Sequence, residues 1–156
     1  MSARKIILFH INEQVYGIDI DEVRAIEPVA GAVKVPNAPD NIEGIINLRG
    51  DVIPVYSLHN KFHLQTTDNS GESKLIITGK DEHVFAIKVD AVEEIVEVED
   101  AKLMTPPMVL HSKDTSYIEC IANVKGSLVL CLDVDKILSE AEKDSMMDFV
   151  EGLQEE

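Results

Sequence analysis

The stretch QVYGIDIDEV, residues 14–23, returns later in the chain as HVFAIKVDAV, residues 83–92. At an offset of 69 positions (83 − 14), Val15/Val84, Ile18/Ile87, Asp21/Asp90 and Val23/Val92 are identical, and Ile26/Ile95 continues the match. A second pair, Asn47-Leu48-Arg49-Gly50 and Asn123-Val124-Lys125-Gly126, follows at an offset of 76 (123 − 47), with Val52-Ile53 meeting Leu128-Val129. The growing offset puts a longer connection in the second half, around MTPPMVLHSKDTS, 104–116. Apolar alternation and turn glycines recur together. The repeated unit is a strand, a tight turn, a strand, a connection, and a hairpin with a basic residue and Gly at its tip.

The remainder reads as short, β-branched strands: KIILFHI (5–11), GIINLRG (44–50), DVIPVYSL (51–58), SKLIITG (73–79), EEIVEVE (93–99), YIECIANV (117–124) and SLVLCLDV (127–134). Turn residues separate them, at Asn12-Glu13, Gly50-Asp51, 79–82 and Gly126-Ser127. Each half supplies about five strands, enough to close a small barrel that leaves no exposed edge. The expected fold is therefore all-β and mainly antiparallel: two five-stranded barrels from an internal duplication, over about 14–64 and 73–134, within one domain spanning 1–156. The polar loop QTTDNSGES, 65–73, divides them. A cleft between two such lobes is a usual place for a ligand or partner. Helical periodicity arrives only in DKILSEAEKDSMMDFVEGLQEE, 135–156, where Met146, Val150 and Leu153 share a face. This predicts short helices and a C-terminal helix packed on its own barrel, with an acidic tail.

The 156 residues carry a net charge of −15. That balance speaks against nucleic acid and against an anionic membrane surface, since both attract a basic face. No apolar run reaches the ~18 residues that span a bilayer. MSARKIILFHI is too short in its apolar part, and lacks the small-residue cleavage site, for a signal peptide. The chain is expected in the cytoplasm. Its two cysteines, Cys120 and Cys131, have no CxxC spacing. With a turn at Gly126-Ser127 they become diagonal neighbours, ~7–8 Å apart at Cα, too far for an unstrained disulfide, and are expected as reduced core residues.

The chemistry-bearing motifs are few. No Gly-rich phosphate loop, GxSxG elbow or Cys/His nucleophile context is present, so no catalytic, cofactor or metal residue is assigned and no enzyme is expected. Asp19-Ile20-Asp21-Glu22 reads as a strand end that caps a turn. His59 and His63, at i and i+4, would share a helix face as zinc ligands can. No third ligand is evident, and a solvated pair on a short helix is the preferred reading. Arg49-Gly50-Asp51 is a hairpin tip rather than an adhesion tripeptide. Arg49 itself shares its strand face with Ile45, Asn47, Val52, Pro54 and Tyr56, which puts a cation at the rim of an apolar patch.

YGIDIDEVRAI (16–26), followed by VPNAPDNIEGIINLRGDVIPVYSL (35–58), resembles the CheW family of bacterial chemotaxis coupling proteins. VFAIKVDAVEEIVEV (84–98) and GSLVLCLDVDKIL (126–138) fit the same pattern, so the resemblance covers roughly 5–140. It implies two SH3-like barrels on a shared core, with strands open to exchange, and a non-catalytic adaptor associated with receptor arrays at the inner membrane. The implied partners are the chemoreceptor cytoplasmic tip, a long helical hairpin, and the regulatory domain of the histidine kinase CheA. The positions matching the family's receptor-binding groove are Val23, Ile26, Gly44 and Arg49; no kinase-binding residue is assigned. The family often carries a glutamate, paired with that arginine, where this chain has Ala25. Glu22, Glu27 or Glu43 is left to substitute, or Arg49 is free to reach the receptor. Two other readings remain: an adaptor of the same kind in a non-chemotaxis pathway, and a small-ligand or metal sensor using the inter-lobe cleft with His59 and His63.

Overall fold

Two-residue turns and alternating apolar residues set the hairpins. The computed structural model describes residues 3–29, 32–36, 38–64, 73–79, 84–105 and 117–154. Most of the polar loop at 65–73, of the connection at 104–116 and of the turn near 80–83, together with the last two residues, lie outside the described residues. The first hairpin is β1 (Ala3–Ile11) and β2 (Gln14–Asp19), after which a 3-10 turn (Ile20–Glu22) leads into β3 (Val23–Pro28). A second hairpin, β4 (Ile42–Leu48) and β5 (Asp51–Ser57), ends in helix α1 (Leu58–Lys61). The next half repeats the series. It runs through β6 (Lys74–Thr78), β7 (Phe85–Val89), β8 (Ala91–Glu99), a short β9 (Leu103–Met104), β10 (Ile118–Val124), β11 (Ser127–Leu132) and α2 (Val134–Ile137). Helix α3 (Glu140–Gln154) has no repeat counterpart among the described residues.

The strand orders are β8-β1-β2-β11-β10-β9 in one sheet and β3-β6-β7-β5-β4 in the other. Replacing each strand by its repeat equivalent turns the first five strands of one sheet into the other. The two sheets are thus copies, each mixed, with one parallel junction: β11 beside β2, and β5 beside β7. The copies exchange hairpins. β1–β2, from the first half, sits between β8 and β11 of the second, while β6–β7 sits between β3 and β5 of the first. The ranges 14–64 and 73–134 follow the repeat, whereas hydrogen bonding groups 3–19 with 91–132 and 23–57 with 74–89.

The exchange explains where the core lies. Phe9, Ile11, Tyr16 and Ile18 of one sheet pack with Tyr56, Ile76, Phe85 and Ile87 of the other, and α2 and Met146 of α3 close the cluster. Each lobe also keeps its own smaller interior, around Ile6, Leu8, Cys120 and Val129 in one and Ile46, Ile53, Val55 and Leu75 in the other. Fully burying such a side chain stabilises by about 1.5–3 kcal/mol, so the shared cluster binds the lobes more strongly than any single hydrogen bond.

The turn chemistry corrects the predicted cysteine geometry. Lys125 (φ 51°) and Gly126 (φ 86°) are the two turn residues, so Val124 faces Ser127 and Cys120 faces Cys131 directly rather than diagonally. The same turn stands at Arg49 (φ 54°) and Gly50 (φ 93°). In each copy the asparagine two residues before the basic one accepts the glycine's N–H: Asn47 Oδ1 at 2.9 Å and Asn123 Oδ1 at 3.1 Å. Left-handed conformation at both turn positions matches the twist of a hairpin, and the side-chain acceptor pins it one residue earlier than the glycine alone suggests.

The histidine reading also changes. His59 is 1% exposed and its Nε2 lies 2.9 Å from Asp90 Oδ2, while His63 is exposed with φ 59° after the helix ends. The two do not form a solvated pair. Asp90 accepts a further hydrogen bond, 2.6 Å long, from the Asn12 backbone N–H. Burying a carboxyl group costs free energy unless it is so hydrogen-bonded, and this one joins α1, the β1–β2 turn and the β7–β8 junction. Asp19, by contrast, does what its setting predicts: its Oδ1 accepts the Asp21 N–H at 2.9 Å and caps the 3-10 turn.

Candidate docking groove

Arg49 stands exposed at the β4–β5 tip, on the wall of a groove of about 560 Å³. One side of the groove is Arg24 and Ala25 of β3 with Leu48, Val52 and Pro54 of the hairpin; the other is Met146, Met147, Val150 and Glu151 of α3. Arg24 is held, its Nε donating to the Gly79 carbonyl at 2.8 Å. Arg49 makes no ion pair among the described residues, and Glu43, one of the three substitutes considered for its partner, instead meets Lys88 at 3.5 Å. The groove is half apolar and half polar, with Glu27 and Asp51 also in its lining, and the Arg49 guanidinium at its mouth suits a helix that brings a carboxylate beside an apolar stripe.

Helix α3 is fixed in place by Glu142. Ser139 and Glu142 form a capping box, with Ser139 Oγ accepting the Glu142 N–H and Glu142 Oε1 accepting the Ser139 N–H, both at 3.1 Å. The same carboxylate accepts from Tyr56 Oη at 2.7 Å, Lys61 Nζ at 3.0 Å and Asn41 Nδ2 at 3.2 Å. Burial on its own raises a carboxyl pKa, but these donors outweigh it and lower that of Glu142 to about 2. Tyr56 responds in the opposite sense: burial, then the adjacent carboxylate, push its phenol well above the ordinary range. Met146, 2% exposed, seats the next turn, leaving Met147 and Val150 half-buried along the groove.

Of the four positions singled out from the sequence, only Arg49 lines this groove. Val23 is half-buried against the shared core. Ile26 is 41% exposed on β3 but outside the groove lining. Gly44 is buried where the chain at Val33 crosses: a Cβ there would lie 2.2 Å from the Val33 carbonyl oxygen. Val33 and Ile45 exchange backbone hydrogen bonds of 2.8 Å in both directions, which only a glycine at 44 permits at this spacing. The α3 wall and the Glu142 anchor were not visible in sequence reasoning. The paired methionines at 146 and 147 and the Ser139-to-Glu142 spacing were the available signals.

The other lobe answers the question left by Ala25. Lys125, the repeat equivalent of Arg49, pairs with Glu94 Oε1 at 3.3 Å. Glu94 is the repeat equivalent of Ala25 (94 − 69), so the second copy holds the acid–base pair that the first lacks. Ile95 and Leu128, close by in sequence to that pair, are 54% and 55% exposed.

Taken together, the architecture defines a duplicated, hairpin-exchanged protein of two barrel-like β lobes, one carrying a groove walled by a C-terminal helix. Residues 5–142 match the family model described as a CheW-like domain, and the chain belongs to that family. It is 32% identical to the chemotaxis protein CheW of Treponema pallidum over 142 residues, covering 88% of this chain and 84% of that protein. It is 26% identical to the chemotaxis protein CheW of Bacillus subtilis, covering 92% of each. The crystal structure of the scaffolding protein TtCheW from Thermoanaerobacter tengcongensis superposes with a TM-score of 0.80 at 31% identity, over 89% of this chain and 90% of that one.

Proposed function

We propose that this chain is a non-catalytic chemotaxis scaffold that couples the cytoplasmic tips of chemoreceptors to the histidine kinase CheA. The observation that carries the reading is Arg49: exposed, without an ion pair among the described residues, and set on a half-apolar groove walled by α3. A receptor tip is a helical hairpin, and the groove offers it apolar side chains from Leu48, Val52, Pro54 and α3, with Arg49 to fix its register. Val23, Ile26, Gly44 and Arg49 are the receptor-facing set in this proposal. Arg49 and Ile26 offer side chains, while Val23 and Gly44 act by holding β3 and the 33–45 crossing in place. We place the protein in the cytoplasm, held at receptor arrays beneath the inner membrane. Among the described residues no helix is long and apolar enough to cross a membrane. The reciprocal hairpin exchange supports treating 1–156 as one domain whose lobes do not separate.

Capture with immobilised receptor cytoplasmic fragments and, separately, with the CheA regulatory domain tests the proposal. Retention by both is expected, and retention by neither would sink it.

A further inference from the structure

Cys120 and Cys131 are the two cysteines of the sequence, and the register sets them directly opposite each other on β10 and β11. Directly opposed residues of an antiparallel pair have Cα atoms ~4.5–5.5 Å apart, inside the ~4.4–6.8 Å that a disulfide spans. We propose that these two thiols are a redox modification site, closing a reversible cross-strand disulfide when the protein meets a peroxide. The fold itself does not call for sulfur here. The equivalent pair in the other lobe, also directly opposed, is Gly44 and Val55.

The surroundings assign the roles. Cys120 is 8% exposed and Cys131 4% exposed, so the first is the more accessible to a small oxidant. The interaction between the facing thiols, foremost, lowers the pKa of Cys120 and raises that of Cys131. Arg4, on β1, adds a favourable charge for a thiolate at Cys120, opposed by Glu119 and Asp100, with which it pairs. Cys120 is therefore the attacking sulfur. Its thiolate takes one oxygen of hydrogen peroxide, the O–O bond breaks, and the hydroxide released collects a proton to leave as water. Cys131 then attacks the sulfenic sulfur; the S–O bond breaks and a second water leaves with the remaining proton. In balance, two thiols and one peroxide give one disulfide and two waters, the two sulfurs supplying the two electrons. A dithiol reductant reverses the step by exchange. The bond would tie together the hairpin whose tip carries Lys125, in the lobe opposite the Arg49 groove.

The test uses the full chain. After hydrogen peroxide treatment and removal of the excess by catalase, free thiols are blocked with N-ethylmaleimide and peptides are mapped by mass spectrometry, with and without dithiothreitol. The expected result is a Cys120–Cys131 linked peptide pair from monomeric protein, lost on reduction, with neither thiol carrying maleimide. In Cys131→Ala, Cys120 should be trapped by dimedone as the sulfenic acid. Maleimide on both thiols after peroxide, bonds between chains, or sulfinic acid accumulating on Cys120 of the unmutated protein would each overturn the proposal, and the unmutated chain decides the matter even if the variant does not fold.

Discussion

The two lobes share a strand order, a turn type and a capped short helix, yet identical repeat positions meet different fates. Asp21 and Asp90 are equivalent; Asp21 is exposed, whereas Asp90 is buried against His59 and the Asn12 N–H. Arg49 and Lys125 are equivalent; Lys125 pairs with Glu94, whereas Arg49 faces a groove and makes no ion pair among the described residues. Helix α3 docks on β5 and anchors through Asn41, Tyr56 and Lys61, all of the first half. The scaffold is thus present twice, and helix α3 together with a few differing residues gives one copy a groove and sets the seam between copies.

The difference can be broken at its strongest point first. Asp90→Ala leaves His59 buried without its partner, and should cost about 2–4 kcal/mol by denaturant unfolding, whereas Asp21→Ala should cost under about 0.5 kcal/mol. Equal effects would mean the seam contributes no more than a surface turn. Next comes the α3 anchor. Glu142→Ala should lower stability by about 1–2 kcal/mol, after allowing for partial solvent screening of the site. The pH dependence has a definite sign. The folded pKa of Glu142 lies below its ordinary 4.5, so its contribution is fully present above about 4.5 and fades as pH falls towards about 2. Melting curves of Glu142→Ala and the unmutated chain should therefore differ at neutral pH and converge near pH 2.

Arg49→Ala should weaken receptor-fragment binding about tenfold, roughly 1.4 kcal/mol, with little change in melting temperature, while Lys125→Ala should change binding less than about threefold. A large loss of thermal stability with unchanged affinity of the folded fraction would reverse the roles given to Arg49. The smallest effects concern the pair itself. Glu94→Ala and Ala25→Glu remove it from one lobe and rebuild it in the other, and each should move stability by less than about 1 kcal/mol, since exposed pairs contribute little. Their use is in the binding measurement: Ala25→Glu gives Arg49 an internal partner, and should make the first lobe respond to mutation at 49 more as the second responds at 125.

Much of the fold was legible because it is local. Turn glycines and alternating apolar residues depend on neighbours a few positions away and placed the hairpins, helical spacing placed α3 in the same way, and the 69- and 76-residue offsets matched one set of hairpins to the other. The cysteine register was missed by one turn residue, because an αL lysine supported by Asn123 was not recognised. A one-residue shift re-pairs every position beyond it. His59 was misread for a different cause: its partner Asp90 lies 31 positions away, and nothing in HNKFH signals burial. The groove was half legible. Arg49 and its apolar strand neighbours could be read from alternation, but the α3 wall opposite could not.

By itself, then, the sequence determined the repeated unit, its turns and the charge at each hairpin tip, because these follow from backbone preferences and the two-residue period of a strand. Only the tertiary structure decided which copy each hairpin joined. β1–β2 and β6–β7 carry equivalent patterns and can in principle complete either sheet; the choice rests on long-range packing of Phe9, Tyr16, Phe85 and Ile87 into one shared core. That packing buries Asp90 with His59 and completes the lobe on which α3 lies beside Arg49, none of which is encoded in any short stretch of the chain.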